Sequence, residues 1–370
     1  MNRSIKFGFL LALLCMVYTA GGATAPGQEK TAATQWHAAQ QFGVRGLGWE
    51  ELAQTFTRLP AKAQGVVSEE VWRLGQNSAG LHVRFVSNSK SIKVKWSVRG
   101  NVSLNHMAAT AVKGVDLYAR SPQGWQWVGV GKPSGKKNEA EVVTNMAPGE
   151  REFLLYLPLY DGVDSVAIGV ENGASISAAA PYEKKPIVFY GTSITQGACA
   201  TRAGMAYPSI IGRCLNRETI NLGFSGNGKM DPAMANLLAE LDPALYVLDC
   251  LPNMKPEEVQ PRTLEVVRLL KAKRPDTPIL LVESITYAHV WIDQRVADVV
   301  QKKNQALRKA YEQLAAEGVK KLYYRNTKDL VNPNGEGTVD GIHLTDLGFT
   351  HLANALVKEI KTIDKKNKLK

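Results

Sequence analysis

Two short stretches of the chain carry the residue types of nucleophilic catalysis. Ser193 follows the apolar run of "IVFYGTSITQG", and Asp340 and His343 stand close together in "TVDGIHLT". A serine hydroxyl is a weak nucleophile until a base removes its proton, and an aspartate can hold an imidazole in the tautomer that does so. The sequence therefore predicts a triad of Ser193, His343 and Asp340. The alternatives are an ordinary strand-to-helix turn and a structural Asp-His pair.

Two further stretches offer hydrogen-bond donors for the oxyanion that forms during acyl transfer. "NLGFSGNG" supplies the backbone amides of Gly223, Gly226 and Gly228, and "LDCLPNM" supplies the side-chain amide of Asn253. Such donors stabilise the developing negative charge, and losing one costs about 2.7–4 kcal/mol in a well-studied protease. A tight turn at the glycines and a helix cap at Asn253 are the alternatives.

The elements that would position these residues fall into two halves. From about residue 35 to 180, apolar and polar residues alternate in short runs such as "SIKVKWSV", which is typical of a β-sandwich or jelly roll. Beyond residue 185, nearly continuous apolar runs such as "PILLVES" alternate with helix-like segments. This predicts an α/β fold, with a three-layer α/β/α domain built on a parallel sheet. Ser193, the glycines and Asn253 would then share the carboxyl edge of that sheet.

The N-terminus has the pattern of an export signal. "MNRSIKFGFLLALLCMVYTAGGATA" begins with basic residues, continues with a short apolar run and ends in small residues. The run is shorter than the roughly 20 residues of a membrane span, and no later segment is apolar enough. We therefore expect an exported protein without a membrane span. The predicted division is a signal peptide at 1–23, a β-sandwich at 31–180 and the α/β/α domain at 185–365.

Composition argues against several other classes of protein. The chain has 370 residues, of which 45% are hydrophobic and 21% charged, an ordinary globular balance. The formal net charge of +11 is spread along the chain without a basic stripe among aromatics, so nucleic acid is not an expected partner. The histidines and cysteines show no metal-ligand spacing, so no metal is expected. Cys199, Cys214 and Cys250 are expected to be buried free thiols, with a Cys199–Cys214 disulfide as the alternative.

The C-terminal half resembles the SGNH (GDSL-type) hydrolase family. "GTSITQG" is similar to the family's first block, "NLGFSGNG" to the second, "CLPNM" to the third and "DGIH" to the fifth. The resemblance implies that Ser193 is the nucleophile and that Asp340 and His343 complete the triad. It also implies an oxyanion hole made of the Ser193 and Gly226 amides and the Asn253 side chain, and no metal or organic cofactor.

Some positions depart from the family pattern. Thr192 stands where the family usually has Asp, and Pro252 and Met254 replace the usual Gly and Asp on either side of Asn253.

In the N-terminal half, "GVDLY" is similar to the GxDLY signature of a β-sandwich that precedes SGNH domains in exported bacterial proteins. Together the two resemblances cover nearly all of the chain after the signal peptide.

These observations lead us to expect a secreted serine ester hydrolase that acts on short acyl esters, first of all acetyl esters of carbohydrates. Its partner would be a small-molecule or polysaccharide ester, and the oligomeric state is left open. The alternatives are a lipid or thioester hydrolase and a carbohydrate-binding protein with a decayed hydrolase domain. Trp125 and Trp127 share one face of a predicted strand, where core packing is favoured over a platform for sugar rings.

Overall fold

The structure, a computed structural model, describes residues 33–327, 330 and 334–369. The predicted signal peptide at 1–23 lies outside the described residues. From Thr34 onward the chain forms one compact unit. None of the helices in the described part combines the length and the apolar character that crossing a membrane would need.

Antiparallel strands make up the first half of the described chain. In chain order they are β1 (Thr34–Ala38), β2 (Val44–Arg45), β3 (His82–Ser87), β4 (Ile92–Val98), β5 (Val115–Ser121), β6 (Gly124–Gly131), β7 (Lys137–Val143), β8 (Arg151–Tyr156), β9 (Val163–Glu171) and β10 (Ile176–Ala178). They form two sheets, ordered β1-β9-β4-β7 and β10-β3-β8-β5-β6, with β2 paired to β3. Alternate residues such as Phe85, Val94 and Trp96 are buried in one core shared by both sheets. The predicted β-sandwich is confirmed.

A parallel sheet follows in the second half. Its strands are β11 (Ile187–Gly191), β12 (Thr219–Gly223), β13 (Leu245–Asp249), β14 (Ile279–Val282) and β15 (Leu322–Arg325). Their order is β12-β11-β13-β14-β15, and every pair is parallel. Ile187 and Phe189 of β11 belong to one core, whereas Val188 and Tyr190 belong to another. Burial on both faces explains why these strands are apolar throughout.

Helices cover both faces of the parallel sheet. In chain order the helices are α1 (Glu69–Gly75), α2 (Ala109–Val112), α3 (Ser193–Gln196), α4 (Tyr207–Leu215), α5 (Pro232–Glu240), α6 (Pro256–Lys273), α7 (Gln294–Ala316) and α8 (Asp346–Asn367). Short 3-10 turns lie at Ala39–Phe42, Glu50–Leu52, Ala61–Ala63, Ala203–Met205 and Leu251–Asn253. Apolar residues of α4 and α8 fill one core, and those of α5 and α6 fill the other. The predicted α/β/α class is confirmed.

The two halves share part of their core. Tyr118 of β5 and Leu154 and Tyr156 of β8 cluster with Phe189 of β11. The predicted boundary between residues 180 and 185 falls between β10 and β11. The domain bounds of 31–180 and 185–365 stay a prediction, since the chain from Thr34 onward packs as one unit.

A buried arginine fastens the first half to β12. Arg58 is only 1% exposed, and its guanidinium donates to the carbonyl oxygens of Leu74 and Asn77 at 2.6 and 2.9 Å. It also donates to the carbonyl oxygens of Asn221 and Gly223 at 3.1 and 2.7 Å. Burial lowers the pKa of Arg58 to about 9, so the side chain stays charged at neutral pH. Arg58 therefore anchors β12, the strand that leads into the glycine-rich loop, to the first half of the chain.

We expect Arg58→Met to lower the free energy of unfolding by about 3–5 kcal/mol, because buried carbonyl oxygens lose their donor. Arg73→Met on α1 is the matched control. Arg73 makes an exposed ion pair with Glu70 at 2.7 Å, a type of contact worth about 0–1 kcal/mol. Denaturant unfolding followed by tryptophan fluorescence measures both variants. Equal losses would contradict the role given to Arg58.

A buried histidine makes the stability depend on pH. His82 in β3 lies 3.0 Å from the Gly80 carbonyl through Nδ1 and 3.1 Å from the Tyr182 hydroxyl through Nε2. Nδ1 donates to the carbonyl, so Nε2 accepts from the tyrosine and the ring is neutral. Burial lowers the pKa of His82 from 6.5 to about 4, because a charged imidazole would lose its hydration.

We expect the free energy of unfolding to fall by roughly 3 kcal/mol between pH 6.5 and pH 4 through this group, since each pKa unit is worth about 1.4 kcal/mol. In that window the unfolded chain binds a proton at His82 and the folded chain does not. Unfolding measured against pH for wild type, His82→Gln and the exposed control His351→Gln checks this. The slope of the unfolding free energy against pH should become flatter in His82→Gln and not in His351→Gln. An unchanged slope in His82→Gln would show that His82 is not the group that titrates.

Candidate active site

Ser193 lies directly after a strand of the parallel sheet, as the sequence predicts. β11 ends at Gly191, and Ser193 is the first residue of α3. Thr192 caps this short helix, since its Oγ1 accepts from the Ile194 amide at 3.2 Å. A Cβ on Gly191 would lie 2.0 Å from Oγ1 of Thr195, so only glycine fits there. The turn therefore carries Ser193 to the carboxyl edge of the sheet.

The three predicted triad residues lie together. Oγ of Ser193 is 2.9 Å from Nε2 of His343, although the two residues are 150 positions apart. Nδ1 of His343 is 2.6 Å from Oδ2 of Asp340. A carboxylate only accepts, so the ring proton sits on Nδ1 and Nε2 can accept from the serine hydroxyl. This is the arrangement of a serine activated by a general base.

The loop that carries Asp340 holds its carboxylate in the charged form. Oδ1 of Asp340 accepts from the amides of His343 and Ile342 at 2.8 and 3.1 Å. Partial burial raises the pKa of Asp340, but hydrogen bonds from the His343 ring and from these amides outweigh it and hold the pKa below its usual value. The loop is closed by a β-bridge between Thr338 and Leu344, just before α8 begins.

The three candidate oxyanion glycines differ in their surroundings. The Gly223 amide donates to Oδ1 of Asn221 at 2.9 Å, and the Gly228 amide donates to the Phe224 carbonyl at 2.9 Å. A Cβ on either residue would come within 2.2 Å of backbone atoms, so the close packing leaves room only for glycine at both positions. Gly226 has a φ of 71°, and a Cβ there would meet nothing within 4 Å. Gly226 is thus the glycine of the three that borders open space.

Asn253 lies against the same loop. It ends the 3-10 turn after β13. With its carboxamide oxygen facing the loop, it accepts from the amides of Gly226, Asn227 and Gly228 at 3.3, 3.1 and 3.3 Å. The opposite orientation would set the amine against these donors, so the oxygen-facing one is favoured. The Asn253 side chain and the Gly226 amide are therefore neighbours at the sheet edge.

A series of hydrogen-bonded, buried polar groups lies close to Ser193, and it was not predicted from the sequence. Oγ1 of Thr195 is 3.0 Å from the Tyr207 hydroxyl, which donates to Oδ2 of Asp249 at 3.0 Å. Burial raises the pKa of Asp249 to about 6, and the Tyr207 hydrogen bond works against this rise. These hydrogen bonds connect α3, α4 and β13 close to Ser193. The one sequence signal of this series is an aspartate at the end of an otherwise apolar strand.

The GxDLY stretch contacts the loop that follows Ser193 and α3. Asp116 is fully buried, and its Oδ2 accepts from the Gly204 amide at 2.9 Å and from Arg202 at 3.0 Å. Its Oδ1 accepts from Nε1 of Trp127 at 2.8 Å. Trp127 is 50% exposed and lies over the Arg202 guanidinium, so the prediction of core packing is wrong for this residue. Trp125 is partly buried against the core.

Two residues beside His343 were not among the predicted site residues. The rings of His106 and His343 have centroids 5.7 Å apart, and the ligand atoms of both lie within 4.8 Å of the Cys199 sulfur. Burial, followed by the charge of Asp340, raises the pKa of Cys199 to about 12, so this thiol does not compete as a nucleophile at neutral pH. The described cysteines are free, as favoured from the sequence, although Cys214 is exposed.

The sequence matches two families of known proteins. Residues 184–361 match the GDSL-like lipase/acylhydrolase family, and residues 34–176 match the GxDLY family, the N-terminus of SGNH-hydrolase-type esterases. A protein from Bacteroides ovatus ATCC 8483 named as a GDSL-like lipase is 39% identical in sequence, and its crystal structure superimposes with a TM-score of 0.86. The match covers 90% of this chain and 98% of that one. No curated protein matches significantly. The matches confirm the resemblance seen in the motifs.

More distant proteins share the fold. The salicylyl-acyltransferase SsfX3 from a tetracycline biosynthetic pathway is 15% identical, with a TM-score of 0.71 over 91% of this chain and 98% of that one. The acetyl xylan esterase Est2A from the rumen bacterium Butyrivibrio proteoclasticus is 11% identical, with a TM-score of 0.54 over 90% of this chain and 98% of that one. At such identities the likeness is one of fold alone.

Proposed function

Because the chain belongs to the GDSL-like lipase/acylhydrolase family and is a carboxylic ester hydrolase, we propose that it cleaves its ester through an acyl-enzyme on Ser193. The observation that carries this proposal is the 2.9 Å contact between Oγ of Ser193 and Nε2 of His343, with Asp340 on the other ring nitrogen. The same contact disfavours a carbohydrate-binding protein with a decayed hydrolase domain, since such a protein has no need of an intact triad.

The proposed mechanism has two similar halves. Nε2 of His343 takes the Ser193 proton as Oγ attacks the ester carbonyl carbon, and the carbonyl oxygen becomes negatively charged. We assign the donors for this oxyanion to the amides of Ser193 and Gly226 and to the amine of the Asn253 side chain; the Gly226 amide, 3.3 Å from the Asn253 oxygen, is then shared between that oxygen and the oxyanion. The imidazolium, stabilised by Asp340, gives its proton to the leaving alcohol. Water then attacks the acyl-enzyme with His343 as base, which releases the carboxylic acid and regenerates the serine.

We assign the enzyme to short acyl esters, with acetyl esters of carbohydrates in first place. The shared fold with Est2A, named as an acetyl xylan esterase, supports this assignment. The predicted signal peptide at 1–23 supports an exported protein, which would meet polysaccharides outside the cytoplasm. We propose the sandwich of 31–180 as an accessory domain that borders the site, because the ring of His106 lies beside that of His343.

A lipid or thioester hydrolase is the second candidate, and one observation favours it. Trp291 and Ile292 are 77% and 65% exposed, which is unusual for side chains of this size. Their loop packs against the triad loop, since the Ala288 amide donates to the Gly341 carbonyl at 2.8 Å. Exposed apolar side chains on a loop that contacts the triad loop would suit a long acyl chain.

A substrate series decides between the two candidates. Wild type and Ser193→Ala are assayed on aryl acetate, butyrate and decanoate, and then on acetylated polysaccharides. We expect the highest activity on acetate, and release of acetate from the polysaccharides. Activity that rises with chain length would instead favour the lipid or thioester hydrolase. A fluorophosphonate probe should label Ser193, and labelling of another residue would contradict the mechanism.

We expect Asn253→Ala to lower kcat by about 10²- to 10³-fold with little change in KM, because a donor to the oxyanion acts mainly in the transition state. Asn227→Ala is the matched control on the facing loop. The Asn227 side chain donates to the Ser225 carbonyl at 3.0 Å and has no proposed role in the reaction. Steady-state kinetics on aryl acetate measure both variants. A KM effect alone in Asn253→Ala would show that this residue binds substrate instead.

A further inference from the structure

Three side chains from distant segments meet beside the nucleophile. His106 lies in the loop between β4 and α2, Cys199 follows α3, and His343 precedes α8. One ligand atom from each, a ring nitrogen from the histidines and the sulfur from the cysteine, lie within 4.8 Å of one another. The sequence showed no metal-ligand spacing because three separate segments supply the three groups.

We propose that His106, Cys199 and His343 bind a thiophilic divalent cation of the Zn²⁺ class, and that the bound cation switches the hydrolase off. Zn²⁺ prefers imidazole nitrogen at about 2.0–2.1 Å and thiolate sulfur at about 2.3 Å in a tetrahedral arrangement, with ligand atoms therefore roughly 3.5 Å apart. The ligand atoms are up to 4.8 Å apart in the structure, and a modest side-chain movement would bring them to this spacing. The His106 side chain is exposed, so it has room for this movement.

Each imidazole has its Nδ1 hydrogen-bonded to an oxygen, which leaves the lone pair on Nε2 for a cation; in His343 that lone pair otherwise accepts from the Ser193 hydroxyl. Nδ1 of His343 lies 2.6 Å from Oδ2 of Asp340, and Nδ1 of His106 lies 3.1 Å from Oδ1 of Asn105. Metal-bound histidines usually donate their second ring N–H to such an oxygen, which orients the ring. Nε2 is therefore the ligand atom of both histidines, and the groups that orient the rings are already in place.

The fold anchors the backbone of the His106 loop and buries Cys199, while the exposed His106 ring can rotate. The loop of His106 is anchored by Asp161, which is 1% exposed and accepts from the amides of Gly100 and Val102 at 2.8 and 2.9 Å. Cys199 is buried and has a φ of 69°, in the left-handed region that residues with a Cβ rarely adopt. Backbone strain of this kind concentrates at functional sites.

Cation binding and catalysis exclude each other at one atom. Nε2 of His343 receives the Ser193 proton, and it cannot act as a base while its lone pair is bound to a metal ion. As the metal–sulfur bond forms, the Cys199 thiol releases its proton to solvent, and Zn²⁺ transfers no electron. The inhibition rests on the proposed roles of Ser193 and His343, whereas binding of the cation does not.

The first test is a Zn²⁺ titration of aryl acetate hydrolysis by wild type, His106→Ala and Cys199→Ser. His351→Ala, at an exposed histidine of α8, is the control. We expect Zn²⁺ to inhibit wild type and control equally, with reversal by EDTA. The other two variants should hydrolyse normally without metal and need at least about tenfold more Zn²⁺, since loss of even an outer partner costs about 10- to 100-fold in affinity. Equal inhibition of all four proteins, or of none, overturns the proposal.

The second test does not depend on turnover. Co²⁺ is added to Ser193→Ala, which keeps all three ligands, and we expect a thiolate-to-cobalt charge-transfer band that saturates at one equivalent. The band should vanish in the double variant Ser193→Ala/Cys199→Ser, and its absence from Ser193→Ala overturns the site. A band together with full wild-type activity in saturating Zn²⁺ overturns the switch. A wild type that hydrolyses no ester would defeat the proposed function, while the cobalt band would still decide the metal site.

Discussion

Ser193→Ala is expected to lower kcat on aryl acetate by about 10⁴- to 10⁶-fold, the range found when a triad nucleophile is removed from a serine hydrolase. Without Oγ there is no atom for His343 to deprotonate at 2.9 Å, and no acyl-enzyme forms. The residual rate comes from substrate binding and the oxyanion donors alone. KM should change much less than kcat, because removing one hydroxyl group leaves the surrounding groups in place.

The control for this variant is Ser209→Ala on α4. Ser209 is 1% exposed, and its hydroxyl has no hydrogen-bond partner among the described residues, so its loss leaves no group unsatisfied. We expect full activity and unchanged or slightly higher stability. A loss below tenfold in Ser193→Ala, with far-UV circular dichroism unchanged, would mean that another group is the nucleophile.

Asp340→Asn is expected to lower kcat by about 10⁴-fold, as in a protease where the matching aspartate was replaced. An amide can present its N–H to Nδ1 of His343, which moves the ring proton to Nε2 and leaves that nitrogen unable to accept from Ser193. The hydrogen bond from the ring to the carboxylate, now 2.6 Å long, would be lost with the charge. Steady-state kinetics on aryl acetate measure the effect.

Asp346→Asn separates this effect from a loss of loop structure. Asp346 opens α8 three residues after His343 and accepts from the Thr201 amide at 3.0 Å, without touching the triad. We expect a much smaller decrease in kcat than in Asp340→Asn. Similar decreases in both variants would indicate that Asp340 acts only by holding its loop together.

Local chain features were enough to predict the fold class and the triad. Alternation in segments such as "SIKVKWSV" reports a strand with two unlike faces, and the apolar run before Gly191 reports a strand buried on both. The alternation and the apolar run each depend only on residues that are neighbours in sequence, so both can be recognised without knowledge of tertiary contacts. Ser193, Asp340 and His343 were found in the same way, because each stands in a short motif next to such an element.

Tertiary structure alone decided which groups surround the triad. Gly223, Gly226 and Gly228 look alike in "NLGFSGNG", and only the packing shows that two of them border backbone atoms and one borders open space. His106 and Asp116 lie in the sandwich, so no local pattern relates them to His343 and Gly204, which stand 237 and 88 residues later in the chain. Sequence by itself determined the elements through local periodicity, and it predicted the triad residues from short motifs. The neighbours of those residues followed from how separate segments pack, which depends on long-range contacts that no short stretch encodes.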